Sequence, residues 1–209
     1  MNIHTKKLEV AGPAGRIQVQ RDQPEGESRG TAVICHPHPL FGGTMDNKVV
    51  QTLARAFVLC GWTALRFNFR GVGTSEGAYD EGRGETQDLL ALVEALAPTG
   101  KLALAGFSFG SFVTVQALQT LWGAREIERI VLVGTAASRF QVPTLPPESH
   151  DRTLVIHGEV DDTVPLASAL DWARPQFLPV TVIPGVEHFF HGQLPLLKNL
   201  VVRHLRVEA

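Results

Sequence analysis

Long hydrophobic runs, blocks of one charge sign and cysteine are what this chain lacks. No stretch of its 209 residues holds the roughly 18 consecutive apolar residues of a membrane-spanning helix, so no membrane association is expected. Its 19 basic and 21 acidic residues leave a formal charge of -2 and are spread without long runs of either sign. A phosphate backbone is bound by a basic stripe, and with none present nucleic acid is set aside as a partner. There are two cysteines, Cys35 and Cys60, each within apolar sequence. They read as buried free thiols of a reducing compartment, not as a disulfide framework. The start of the chain leads into no apolar stretch, so a signal peptide is not expected and the expected location is cytoplasmic. No internal repeat or low-complexity segment is found. With 44% hydrophobic residues the chain can close one sizeable core, and a single domain over 1–209 is expected.

Present instead is alternation. Residues 6–20 read as two strands around the turn Gly12-Pro13-Ala14-Gly15. Short continuous apolar runs then predict strands at 31–35, 63–67, 101–105, 129–133, 153–157 and 180–183. Helical spacing predicts helices at 48–59, 85–96, 108–122, 166–177 and 188–206. Uninterrupted apolar strands separated by helices indicate an α/β fold, with a mostly parallel central sheet of about seven to eight strands covered by helices on both faces. In such sheets chemistry collects beyond the carboxyl ends of the strands. His36, Asn68, Ser108, Asp161 and His188 all follow strands.

Gly106-Phe107-Ser108-Phe109-Gly110 lies between the strand at 101–105 and the next helix. A serine between two glycines at a strand-to-helix junction is a nucleophile elbow, which lifts the hydroxyl clear of the sheet beside the positive end of the helix. A serine hydroxyl is a weak nucleophile and needs a base, and histidine, with an ordinary pKa of about 6.5, suits the task. The base needs an acid to fix its tautomer. Asp161, in a D-x-x-V-P spacing after the strand at 153–157, is the preferred acid. Asp162 could instead cap the helix that begins near Pro165, and Glu159 is a weaker third candidate. His188, ahead of the last predicted helix, is the preferred base. His191 competes, but a position inside that helix would leave it less free to reach the serine.

Ser108, Asp161 and His188 occur in the chain order of α/β-hydrolases. The chain resembles that family of serine hydrolases, and more narrowly its small lidless bacterial members bearing an H-P-x-x-x-x-G-G-x-M-x-N-K-V-V stretch. Here the stretch runs from His36 to Val50. A second shared stretch, Arg66-Phe67-Asn68-Phe69-Arg70-Gly71-Val72-Gly73-Thr74-Ser75-Glu76-Gly77, follows the strand at 63–67. The resemblance implies an acyl-enzyme mechanism, an ester-like small-molecule substrate, no cofactor and no metal. It implies an oxyanion hole formed by backbone N–H groups of Phe109 and of the loop after the strand at 31–35. Pro37 and Pro39 have no N–H to give, so His38 is favoured and Leu40 is the runner-up. Where many relatives carry H-G, this chain has H-P-H-P.

In lidded relatives a helical cap enters between the strands at 129–133 and 153–157. Here that connection is short and holds Pro143, Pro146 and Pro147, so no sizeable cap and an open site are expected. Phe41, Phe109, Phe140 and Phe189 are candidates for an apolar acyl pocket, with core packing expected for at least two of them. Three other readings compete. Gly71-Val72-Gly73-Thr74-Ser75-Glu76-Gly77 is one residue too long for a dinucleotide fingerprint and is expected to be a structural loop, with Asn68 and Arg70 anchoring its neighbours. A metallohydrolase using His36, His38, His188, His191, Asp161 and Asp162 has no familiar ligand spacing and leaves the elbow unexplained. A catalytically silent binding protein on the same fold would be marked by failure of Ser108 to label with a fluorophosphonate.

Overall fold

The computed structural model describes residues 5–207; the four N-terminal residues, part of the segment read for a leader, lie outside these, as do 208–209. The chain opens with a hairpin of β1 (Lys6–Gly12) and β2 (Gly15–Asp22). It then alternates through β3 (Thr31–Cys35), α1 (Lys48–Leu59), β4 (Thr63–Phe67), α2 (Arg83–Leu96), β5 (Leu102–Phe107) and α3 (Phe109–Leu121). The second half holds β6 (Ile127–Val133), β7 (Thr153–Gly158), α4 (Leu166–Ala173), β8 (Val180–Ile183) and α5 (Leu194–Arg206). All eight strands form one sheet in the order β1-β2-β4-β3-β5-β6-β7-β8. Only β1–β2 and β2–β4 pair antiparallel; the remaining neighbours are parallel.

The apolar continuity of the inner strands has a direct physical cause. Side chains alternate across a strand, so a strand covered on both faces needs apolar residues at every position. In β3, Val33 and Cys35 join the core beneath α2 and α3, whereas Ala32 and Ile34 join the core beneath α1 and α5. β5 divides in the same way, with Leu102 and Leu104 on one side and Ala103, Ala105 and Phe107 on the other. The chain leaves β3 toward β4 and then returns to the other side of β3 to build β5. That reversal opens a crevice beyond the carboxyl ends of β3 and β5, the place where open α/β sheets bind ligands.

Element boundaries differ from the sequence expectation where backbone geometry intervenes. α5 begins at Leu194, six residues later than expected, because Phe190 and Gly192 have φ of 56° and 73° and break the helical path. α4 ends at Ala173; Pro175 follows, and Phe177 at φ 54° terminates the short 3-10 turn after it. α2 starts at Arg83, held by Glu85, whose carboxylate accepts the N–H groups of Asp80 and Gly82 at 2.9 and 2.8 Å. Asp162 does not cap α4: Pro165 occupies the cap position and no side chain bonds there.

Asn68 anchors a neighbouring loop as expected, whereas Arg70 anchors helix α2 and not a loop. Asn68 accepts the Met45 N–H at 2.9 Å and donates to Gln18 at 2.8 Å, while Arg70 grips Asp88 through two bonds of 2.8 and 2.7 Å. The glycine-bearing loop is tied to β2, with Ser75 accepting the Gln18 N–H and Glu76 the Arg16 N–H.

Candidate active site

β5 delivers Ser108 to the crevice on a turn that only this sequence pattern allows. Ser108 has φ 56° and ψ −119°, outside the ordinary regions for an L-residue. Its N–H is held by the Val133 carbonyl at 2.8 Å. A side chain on Gly106 would stand 2.3 Å from the Gly110 carbonyl oxygen, and one on Gly110 would stand 2.4 Å from that of Cys35. Both contacts are with backbone that cannot yield, so glycine is required on each side of the serine. Ser111 locks the turn from below, its hydroxyl donating to the Gly106 carbonyl at 2.8 Å and accepting the Val133 N–H at 3.2 Å.

β7 delivers the candidate acid. One oxygen of Asp161 accepts the N–H groups of Thr163 and Val164 at 3.0 and 2.7 Å, a closed turn that fixes the carboxylate. The other oxygen lies 2.6 Å from Nδ1 of His188. A carboxylate can only accept, so Nδ1 carries the proton and Nε2 is left as an acceptor. Both groups are buried, His188 at 1% and Asp161 at 6% exposure. The His188 ring is braced by Phe107, 4.9 Å between centroids, and lies over Gly134. Ser108 and His188 line the same cavity, of about 310 Å³.

The other candidates are placed elsewhere. His191 sits in the turn before α5 and not within that helix, so the reason first given against it fails. Its exposed ring pairs instead with Glu187 at 3.0 Å. Glu159 accepts the Gly185 N–H at 2.9 Å, and among the described residues Asp162 bonds only the hydroxyl of Thr163. His36 is fully buried, with Nδ1 donating to the Pro37 carbonyl at 2.6 Å and Nε2 accepting the Phe69 N–H at 3.0 Å. Burial pushes its pKa down to about 4, which keeps that tautomer neutral.

The loop after β3 bears on the oxyanion question. The Leu40 N–H is spent on Nδ1 of His38 at 3.2 Å. The His38 carbonyl accepts from Phe41 and Gly43, while its own N–H meets no acceptor among the described residues. The Phe109 N–H, at the open first turn of α3, meets none either. All four candidate phenylalanines line the cavity. Phe109 belongs to the core and Phe140, partly buried, packs against it, so core packing engages two of the four as expected, whereas Phe41 and Phe189 are exposed by 75% and 42%. A second cavity, about 350 Å³, lies by Asp22, Arg66 and α1 and holds none of these groups.

Sequence reasoning overlooked two residues. His157, inside β7, has Nε2 2.8 Å from the Val164 carbonyl and 3.4 Å from Asp161. Its only signal was its place four residues before the acid. Arg139 lines the cavity from the turn after β6, and no motif marked it.

Comparison with known proteins agrees with this architecture. A family described as the alpha/beta hydrolase fold matches residues 33–154. A Xanthomonas campestris structure, described as an α/β serine hydrolase without lid, superposes with a TM-score of 0.87 at 36% identity, covering 99% of this chain and 95% of that one. A Coxiella burnetii structure, described as an α/β serine hydrolase homologue, gives 0.81 at 37% identity, covering 98% of each. An uncharacterized protein of Rickettsia prowazekii is 40% identical over 109 residues, 50% of this chain and 46% of its own length, so the match spans about half of that relative. The chain belongs to the α/β-hydrolase fold family and has the architecture of its lidless serine hydrolases.

Proposed function

We propose that the protein is a single-domain cytoplasmic carboxylesterase that cleaves small or exposed esters through Ser108, His188 and Asp161. The observation that carries this reading is the buried 2.6 Å bond from His188 to Asp161, in a cavity that Ser108 also lines. Two relatives above 35% identity described as serine hydrolases support the same chemistry.

Ser108 Oγ attacks the ester carbonyl carbon as its proton passes to Nε2 of His188. The imidazolium so formed is stabilised by the Asp161 carboxylate, already fixed by two backbone N–H groups. The carbonyl oxygen gains negative charge and is held by the N–H groups of Phe109 and His38, both without an acceptor among the described residues. Such pre-aimed donors contribute about 3 kcal/mol each to acyl transfer. The tetrahedral species collapses, the C–O bond to the alcohol breaks, and His188 returns its proton to the leaving oxygen. Water, deprotonated by the same imidazole, then attacks the acyl-Ser108 carbonyl and releases the acid. The short connection after β6 carries only a turn and the 3-10 segment Pro147–Arg152, so the cavity stays open and the substrate needs no cap to close over it.

A fluorophosphonate probe is the direct test. The wild-type protein is expected to gain one label, on Ser108, and to hydrolyse 4-nitrophenyl esters of short acyl chains. S108A is expected to do neither. Unlabelled wild-type protein would indicate a silent scaffold, and esterase activity surviving in S108A would remove Ser108 from the mechanism.

A further inference from the structure

Among the described residues lining the cavity, Arg139 is the one with a fixed formal charge, and no Asp or Glu is among them. It lies on the turn after β6, at the place where a cap would otherwise enter, and its side chain is exposed. Its guanidinium carbon stands 5.9 Å from the centre of the Phe41 ring, on the loop that carries His38. No carboxylate among the described residues pairs with it, and none of its side-chain N–H groups is donated to a protein acceptor among them. A cation placed by an aromatic face and not by an acid keeps its hydrogen-bonding fork unspent. Its field reaches into the site: after burial, Arg139 is the second cause that lowers the pKa of His38.

Building on the esterase reading, we infer that Arg139 is a specificity-determining residue that selects esters carrying a free carboxylate a few bonds from the scissile bond. The guanidinium fork matches a carboxylate through two parallel N–H bonds. A single cation balances that single negative charge, whereas a phosphate monoester would bring nearly two and find no second partner in the lining. Beside the polar His38, Asn47 and Thr163, the lining offers Phe41, Phe140 and Phe189, suited to the methylene chain between carboxylate and ester.

Matched pairs test this. On the acyl side, monomethyl adipate is compared with methyl hexanoate; on the alcohol side, 6-acetoxyhexanoate is compared with hexyl acetate. The wild-type enzyme is expected to favour the charged member of one pair in kcat/KM, and the side it favours locates the carboxylate. In R139A that ratio is expected to fall by about tenfold or more, with R139K intermediate because it keeps the charge but not the fork. The preference is also expected to shrink as salt is raised, since Arg139 is exposed. Equal use of both members by the wild type, or an R139A variant that keeps the wild-type ratio, overturns the assignment. Turnover of neither member of either pair by a protein that still labels with a fluorophosphonate also overturns the assignment; failure to label as well removes the esterase reading itself.

Discussion

His157 stands 3.4 Å from Asp161, its Nε2 facing the same carboxylate oxygen that His188 holds at 2.6 Å. Two imidazoles thus face one carboxylate oxygen, but only His188 donates to it. Burial lowers the pKa of His157, so its ring is neutral, and Nε2 donates to the Val164 carbonyl at 2.8 Å. That bond ties the end of β7 to the residue whose own N–H holds the other Asp161 oxygen.

Removing this tie is expected to loosen the acid without touching substrate. In H157F an aromatic ring somewhat larger than imidazole is kept and the donor is lost. The expected outcome is a kcat lowered about tenfold or more with KM nearly unchanged, since only the alignment of Asp161 with His188 is disturbed. Stability should fall by about 1–3 kcal/mol from the unpaired Val164 carbonyl, as read by urea denaturation. A purely structural His157 would show the stability loss with kcat intact.

Asp161 itself is expected to matter through tautomer and charge together. In D161N the side chain can still accept from Thr163 and Val164, so the turn survives. The amide would then donate to Nδ1 of His188 and leave Nε2 protonated toward Ser108, unable to take its proton. Steady-state assays on a 4-nitrophenyl ester should show kcat about three to four orders of magnitude lower. D162N, which removes a charge but keeps an oxygen able to accept from the Thr163 hydroxyl, should stay within about twofold of wild type. A reversed ranking would transfer the acid role to Asp162.

Acid should unfold the protein through His36. Its folded pKa, about 4, lies below the ordinary 6.5, so the unfolded chain binds a proton that the folded one refuses. The sign follows: stability is complete above about pH 6.5 and declines as pH falls toward 4, by on the order of 3 kcal/mol for this group alone. A protonated Nε2 would also confront the Phe69 N–H that it accepts when neutral. His157 and His204, likewise lowered by burial, add in the same direction. Urea midpoints at pH 7, 5.5 and 4.5 measure this decline, and H36Q should be less stable at pH 7 yet show a shallower dependence.

The legible and illegible parts of this chain divide on physical grounds. β3 and β5 could be placed because burial on both faces forces continuous apolar sequence, and the elbow because Gly106 and Gly110 are demanded by backbone contacts. The path from His188 to Gln193 could not, since it turns on a positive φ at Phe190, a residue whose type does not announce it. The same holds for Phe177 after α4. His157 escaped notice because it occupies a strand position that any buried residue could fill; its role comes from Val164, seven positions on. Arg139 belongs to no motif, and its place over Phe41 arises from two loops more than 90 residues apart brought together by the sheet order.

The conformation of Ser108 predicts an opposition between stability and activity. At φ 56° and ψ −119° a side chain is accommodated at a cost of about 1–3 kcal/mol, sustained by the surrounding bonds from Ser108 N–H to Val133 and from Ser111 to Gly106. S108A keeps a Cβ and so keeps the cost. S108G sheds it, at the expense of about 0.5–1 kcal/mol of added freedom in the unfolded chain. Both variants lack the hydroxyl and should fail to label with a fluorophosphonate. In urea denaturation, however, S108G is expected to be more stable than S108A by about 1 kcal/mol, and at least as stable as wild type. If S108A proves the more stable of the two, the elbow stores no strain and its geometry must be held by the flanking glycines alone.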